Sequence, residues 1–301
     1  MQKTEFSRLL TKTKDADIYF NEPMKNHTTF KIGGNADVFI IAKSEDSLLS
    51  ILLLCKEYNI PFYVIGAGSN LLVGDKGIRG AVIKYSSNQA VCNGNVITAE
   101  AGISLAALSK FALSNSLSGL EFASGIPGFL GGAIYMNAGA YGSEMKDIVF
   151  ETEYVDSDGN TGVLKDDEHQ FSYRHSIYTN SNKYVTLAKI RLVPADKAQI
   201  SARMAELSKK RSEKQPLTYP SAGSTFKRPE GHFAAKLIED AGLKGYTIGG
   251  AMVSEKHSGF VINTGDATAS DVLKLTEHIK NTVMTKFNVE LNCEIKMIGE
   301  F

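Results

Sequence analysis

Apolar positions along the chain fall into short runs and helical stripes that alternate from one end to the other. The run Val38-Phe39-Ile40-Ile41-Ala42 after Gly33-Gly34 predicts a strand entered through a turn. Ser44 is placed to cap a helix reaching to about position 58, with Glu45 and Asp46 in its first turn and Leu48, Leu49, Leu52 and Leu53 as its apolar face. Strands are predicted at 62–65, 81–84 and 96–100. A second helix at 104–115 has Ser104 as cap and Leu105, Leu108 and Phe111 on one side. A hairpin at 150–155 and 161–164 turns through Asp158-Gly159, and a strand at 184–192 follows. Further helices are predicted at 197–212 (Ile200, Met204, Leu207), at 232–241 with Gly242 as its stop, and at 268–286 (Val272, Leu275, Ile279, Val283). A closing strand at 290–297 puts Leu291, Cys293, Ile295 and Met297 on one face and Glu290, Asn292, Glu294 and Lys296 on the other. Residues 1–25 read as an irregular or short helical lead-in.

The 301 residues are enough for about two domains. Charges balance at 33 basic against 33 acidic, so the electrostatic footprint of a nucleic-acid binder is lacking and an anionic ligand has to be met by a local cluster. Cys55, Cys92 and Cys293 lie far apart in apolar segments, without the spacing of a zinc site or a disulfide framework; buried thiols are expected, and no metal. The first twenty residues have no apolar core of a secretory signal, and no run approaches the length of a membrane span. The expectation is a cytoplasmic protein without membrane insertion, in which the sequon Asn26-His27-Thr28 is a chance match.

Two glycine-rich stretches carry the candidate chemistry. One follows the predicted strand 62–65: Gly66-Ala67-Gly68-Ser69-Asn70-Leu71-Leu72. Its place at a strand's C-terminal end suits a nucleotide, but the third glycine of a dinucleotide fingerprint would be Leu71 and no helix follows. A phosphate-binding loop with GK[ST] is also absent. The other stretch is 125–142, with six glycines in eighteen residues and no charge before Gly142. Such a segment is either a small-residue packing seam or a backbone surface whose N–H groups cradle an anion. Composition does not choose between them. Lys209, Lys210, Arg211 and Lys214 at the end of the 197–212 helix read first as charges complementing the helix dipole.

Taken together with Tyr173-Arg174, the stretch Ser221-Ala222-Gly223-Ser224-Thr225-Phe226-Lys227-Arg228-Pro229 and Glu294, these loops resemble one family over nearly the whole chain, from about Asn26 onward. The family is UDP-N-acetylenolpyruvoylglucosamine reductase, in its shorter, type II form. The resemblance implies an α+β fold: a vanillyl-alcohol-oxidase (PCMH-type) FAD-binding domain of two α+β subdomains at 29–194, after a lead-in at 1–28, and an α+β substrate-binding domain at 195–301. It implies non-covalent FAD held by Gly66, Gly68, Ser69 and Asn70 from one side and by Gly125, Ile126, Pro127, Gly128, Gly131 and Gly132 from the other. It implies NADPH as reductant and the enolpyruvyl ether of UDP-N-acetylglucosamine as substrate, in peptidoglycan and cell-wall synthesis, with no obligate protein partner. Arg174, Ser224 and Glu294 match the catalytic set, Ser224 as the proton donor. Tyr173, Lys214 and Arg228 match contacts to the sugar nucleotide. Phe129 departs from the small residue common at its position.

Two other readings compete. An oxidase of the same fold acting on a small alcohol would share the glycine loops but has no need of Arg174, Ser224 and Glu294. A catalytically inert nucleotide-binding module would be colourless.

Overall fold

The structure, a computed structural model, describes residues 2–301, so Met1 of the expected lead-in lies outside it. The chain packs into two units. The first comprises the residues up to Tyr19 together with 39–67 and 81–211; the second comprises 20–38, 68–80 and 212–301.

In the first unit a five-stranded antiparallel sheet runs in the order Thr161–Lys165, Val149–Asp156, Lys183–Arg191, Val96–Glu100, Ala90–Asn93. The hairpin that Asp158-Gly159 predicts is its outer pair, with Gly159 at φ +90°. In the same unit the strand Phe62–Ile65 pairs in parallel with residues 81–84 of the strand Ile78–Tyr85. The strand Ala16–Pro23 lies where a lead-in was expected. No residue in it is fully buried, so there is no alternation to read.

Helix Glu45–Glu57 starts as predicted: Ser44 and Ser47 close a reciprocal capping box. Its buried stripe is Leu48, Ile51, Leu52 and Cys55, the i, i+3, i+4, i+7 set, while Leu53 is 42% exposed. Ser104 caps Leu105–Ser114. Helix Lys197–Lys214 crosses the division at Arg211/Ser212. The boundary inferred from sequence at 194/195 precedes this helix; residues 197–211 instead pack with the first unit, where Tyr141 Oη donates to the Leu207 carbonyl at 3.3 Å.

The second unit packs helices Ala234–Asp240 and Ala269–Phe287 on the antiparallel strands Thr247–Ile248, Ala251–Val253 and Val261–Asn263. Val272, Leu275, Ile279 and Val283 are all buried, as the helical period predicts. The N-terminus of Ala269–Phe287 has two caps. Thr268 and Asp271 form a capping box, and the Asp75 carboxylate accepts from the N–H groups of Ala269 (2.7 Å) and Ser270 (2.9 Å).

The closing segment differs from a single strand over 290–297. Only Lys296–Ile298 pairs as a strand, parallel to Leu71–Val73, and Cys293 makes one bridge with Phe226. Leu291 and Ile295 are buried as the alternation requires, but Met297 is exposed. The partner changes within the segment, from the Phe226 stretch to Leu71–Val73, so one face cannot run through.

Candidate active site

Arg174 stands at the tip of a tight turn in the first unit. Ser172 and His175 exchange both backbone hydrogen bonds, at 3.1 and 3.2 Å, leaving Tyr173 and Arg174 between them. Arg174 has φ +54°. For a residue with a Cβ this left-handed conformation costs about 1–2 kcal/mol, and glycine or asparagine would be the ordinary occupant.

The turn is braced by the far half of the 125–142 stretch. Asn137, fully buried and itself at φ +44°, donates from Nδ2 to the Ser172 carbonyl (3.1 Å) and to Glu144 Oε2 (2.7 Å). Its Oδ1 accepts from the Lys146 N–H at 2.9 Å. Arg174 Nη2 donates to the Gly139 carbonyl at 3.4 Å, and the guanidinium lies 5.1 Å from the Tyr173 ring centroid. Tyr173 is exposed.

The near half of that stretch is only partly the open backbone surface expected. Leu130–Tyr135 is a short helix. The N–H groups of Ile126, Leu130 and Gly131 already donate to the carbonyls of Ala123, Ile103 and Ala101 at 2.8–3.0 Å, and Pro127 has none. Gly131 is a packing glycine, since a Cβ there would press on Ala101 Cβ at 3.0 Å. Gly132 differs: a Cβ would meet nothing within 4 Å. Alanine would favour the helix there by about 1 kcal/mol, so nothing in the protein asks for glycine. At Gly66 a Cβ would touch only Phe129, at 3.6 Å, an ordinary contact.

Two half-buried cations lie in the same unit. Lys84 has its ammonium 5.3 Å from the Phe129 ring centroid. The Arg211 side chain packs against Gly125, where a Cβ would stand 3.2 Å from Arg211 Cδ. Burial pushes both below their usual pKa values, and no carboxylate contributes to either. Arg211 is thus unlike Lys210, which pairs with Glu206 on an exposed face. The signal was present in the helical period, because Arg211 continues the stripe Ile200, Met204, Leu207. Open glycine faces beside half-buried cations fit a flat ligand carrying negative charge.

The other predicted residues belong to the second unit. Gly68 has φ +67° and a Cβ there would collide with the His27 carbonyl, so its own backbone demands glycine whatever the loop binds. Thr29 Oγ1 donates to the carbonyls of Ser221 (2.7 Å) and Ser69 (3.4 Å). Asn70 Nδ2 donates to the Glu294 carbonyl at 3.1 Å, and the Glu294 N–H donates to the Thr225 carbonyl at 2.9 Å. Thr225 is anchored in turn: its N–H donates to the Gly259 carbonyl (2.8 Å), and its Oγ1 accepts from the Val261 N–H (2.9 Å). This network ties Ser69, Asn70, Thr225 and Glu294 together from three distant parts of the sequence, and Ser224 directly precedes Thr225. Ser224 is exposed and Glu294 half-buried.

Lys214 ends its helix exposed to solvent. Arg228 lies 3.8 Å over the Phe233 ring and donates from Nε to the His232 carbonyl at 3.4 Å. His257 accepts the Gly259 N–H on Nδ1 at 3.2 Å, and burial lowers its pKa, the behaviour of a neutral structural histidine. Among the described residues no group of three or more His, Cys, Asp or Glu could hold a metal ion, and no helix is long and apolar enough to cross a membrane.

Residues 36–164 match the FAD binding domain family, and residues 215–298 match the UDP-N-acetylenolpyruvoylglucosamine reductase C-terminal domain. These matches and the fold define a flavin-dependent oxidoreductase with an α+β FAD-binding domain of the vanillyl-alcohol-oxidase type. A UDP-N-acetylenolpyruvoylglucosamine reductase of Caldanaerobacter subterraneus subsp. tengcongensis is 56% identical over 95% of each chain. One of Clostridium perfringens (strain SM101) is 48% identical over 99% of each. The crystal structure of the corresponding reductase from Thermus caldophilus matches with a TM-score of 0.79 at 34% identity, over 94% of this chain and 98% of that one. The chain belongs to the UDP-N-acetylenolpyruvoylglucosamine reductase family.

Proposed function

We propose that this chain reduces the enolpyruvyl ether of UDP-N-acetylenolpyruvoylglucosamine to UDP-N-acetylmuramate in the cytoplasm, with NADPH as reductant, as a step of peptidoglycan synthesis. FAD, when bound, supplies the hydride that adds to the terminal carbon of the enolpyruvyl group. In this reading residues 29–194 serve the flavin and residues 195–301 the sugar nucleotide. Gly66, Gly68 and Ser69 are assigned to the cofactor from one loop and 125–128, Gly131 and Gly132 from the other; Asn70 contributes through its backbone, its amide being engaged with Glu294.

The observation that carries the reading is the left-handed Arg174, braced by Asn137 and Gly139. A strained conformation held from two sides signals that this side chain, and not a glycine, is needed there. Addition at the terminal carbon moves negative charge onto the substrate carboxylate. A fixed guanidinium aimed at that carboxylate stabilises the charge as it develops, without reorganising. Glu294, its backbone held at both N–H and carbonyl, shares in polarising the same group. Ser224 then delivers a proton to the adjacent carbon, from the face opposite the hydride. Lys214, Arg228 and Tyr173 are assigned to the sugar nucleotide, the two cations to its diphosphate.

The test separates the two half-reactions without oxygen. NADPH is expected to bleach the bound flavin, and the enolpyruvyl sugar nucleotide is expected to restore its colour. A flavin that stays reduced when that nucleotide is added sinks the proposal.

A further inference from the structure

Lys84 and Phe129 form a pair that neither the fold nor the proposed chemistry uses. Lys84 is the register partner of Ile65 in the parallel pairing of Phe62–Ile65 with Ile78–Tyr85, which puts it beside the last strand residue before Gly66. The Phe129 ring lies 5.3 Å from the Lys84 ammonium, and Phe129 also forms the wall that Gly66 faces. Lys84 is half-buried, and no salt bridge among the described residues reaches it. Burial pushes its pKa down.

A cation withdrawn from water without an acid is costly, and the face of one phenylalanine returns only part of that cost. The missing negative charge has to come from a ligand. In oxidised FAD the only fixed negative charge is the pyrophosphate; the isoalloxazine, ribityl chain and adenosine are neutral. The glycine next to this pair belongs to the loop assigned above to FAD, and backbone N–H groups in such a loop suit a phosphate.

We propose that Lys84 is an ionic contact for the FAD pyrophosphate, held at the edge of Gly66 by the Phe129 ring. The proposal rests on the flavin reading above. It also gives a purpose to the aromatic residue in a glycine-rich loop: the ring fixes a long, flexible ammonium that would otherwise turn to solvent.

The test uses the full-length chain freed of flavin and titrated with FAD or with riboflavin, which lacks phosphate, at low and high salt, following flavin fluorescence. Lys84→Met is expected to weaken FAD binding about ten- to hundredfold, the usual loss for a charge-assisted contact. Riboflavin affinity should stay within about twofold of the unaltered chain, and the salt dependence of FAD binding should become shallower. Lys84→Arg should retain most of the affinity, and Phe129→Leu, which keeps apolar volume but loses the ring face, should lose about two- to fivefold. The proposal is overturned if Lys84→Met binds FAD as tightly and with the same salt dependence as the unaltered chain. It is equally overturned if FAD and riboflavin weaken together, or if only the reduced flavin is affected. If the unaltered chain binds no FAD at all, it is the flavin reading itself that fails.

Discussion

The Asn70 side-chain amide donates to the backbone carbonyl of Glu294 across 224 positions of sequence, at 3.1 Å. Asn70 follows the glycines of the first loop, and the family resemblance gives it a role facing the cofactor. Its amide nitrogen fixes the backbone of a catalytic candidate, and the Asn70 carbonyl also accepts the Lys296 N–H at 2.9 Å.

Asn70→Ala therefore predicts a selective defect. The purified variant is expected to keep its flavin and its rate of reduction by NADPH. Reoxidation by the enolpyruvyl sugar nucleotide should slow by about tenfold, because Glu294 loses half of its backbone support. Stopped-flow absorbance of each half-reaction checks this. Loss of flavin with normal reoxidation in the remaining holoenzyme would return Asn70 to the cofactor.

Arg174→Gly should move stability and activity in opposite directions. Glycine relieves the left-handed backbone, a gain of up to about 1–2 kcal/mol, reduced by the unfolded-state entropy that glycine adds. Removal of the guanidinium should cost about 10²–10³ in the second half-reaction. Thermal melting together with kcat decides it; a variant both less stable and fully active would contradict both expectations.

Ser224→Ala should leave reduction by NADPH intact and slow turnover of the sugar nucleotide by about 10²–10⁴, the usual weight of a general acid. Its exposure predicts little change in melting temperature. Equal loss in both half-reactions would make Ser224 a structural residue.

His169 predicts an acid limit to the stability of the first unit. It is fully buried, with Nδ1 donating to the Asp166 carbonyl at 2.9 Å and Nε2 accepting from Thr152 Oγ1 at 2.9 Å; Tyr178 donates to the same threonine at 2.6 Å. Only the neutral ring satisfies this chain, and desolvation lowers its pKa below the ordinary histidine value. The unfolded chain therefore binds the proton more readily. Stability is complete above about pH 6.5 and falls as pH drops below it, by at most about 1.4 kcal/mol per pH unit from this group. Urea titrations from pH 7.5 to 5 (about two and a half units across that range) should show the slope, and His169→Gln should flatten it.

Elements set by strong local chemistry were readable in the sequence. Ser44 and Ser104 cap their helices, Asp158-Gly159 turns its hairpin, and the stripe from Val272 to Val283 is buried. Where a partner from far away decides, the pattern was silent or misleading. The strand Ala16–Pro23 has no buried face to reveal it, and the segment after Leu291 changes partners midway. The site was legible as residues but not as physics. The two glycine loops, Arg174, Ser224 and Glu294 stand out in the sequence as candidates, yet nothing local says that Gly68 is a glycine because of the His27 carbonyl. Nor does anything local say that Asn137 holds the Arg174 turn.

The second unit is stitched from three separate stretches, and this has a consequence for biogenesis. Its hydrophobic core joins Phe30, Ile32 and Leu72 to Leu243, Ile279, Leu291 and Ile295. A ribosome must therefore release nearly the whole chain before that core can close. Until then the apolar side chains of 20–38 and 68–80 wait without their partners, exposed to chaperones and to aggregation. A fragment beginning at Ser212 would lack Phe30, Ile32 and Leu72 from its interior, and with them the Asp75 cap on its longest helix.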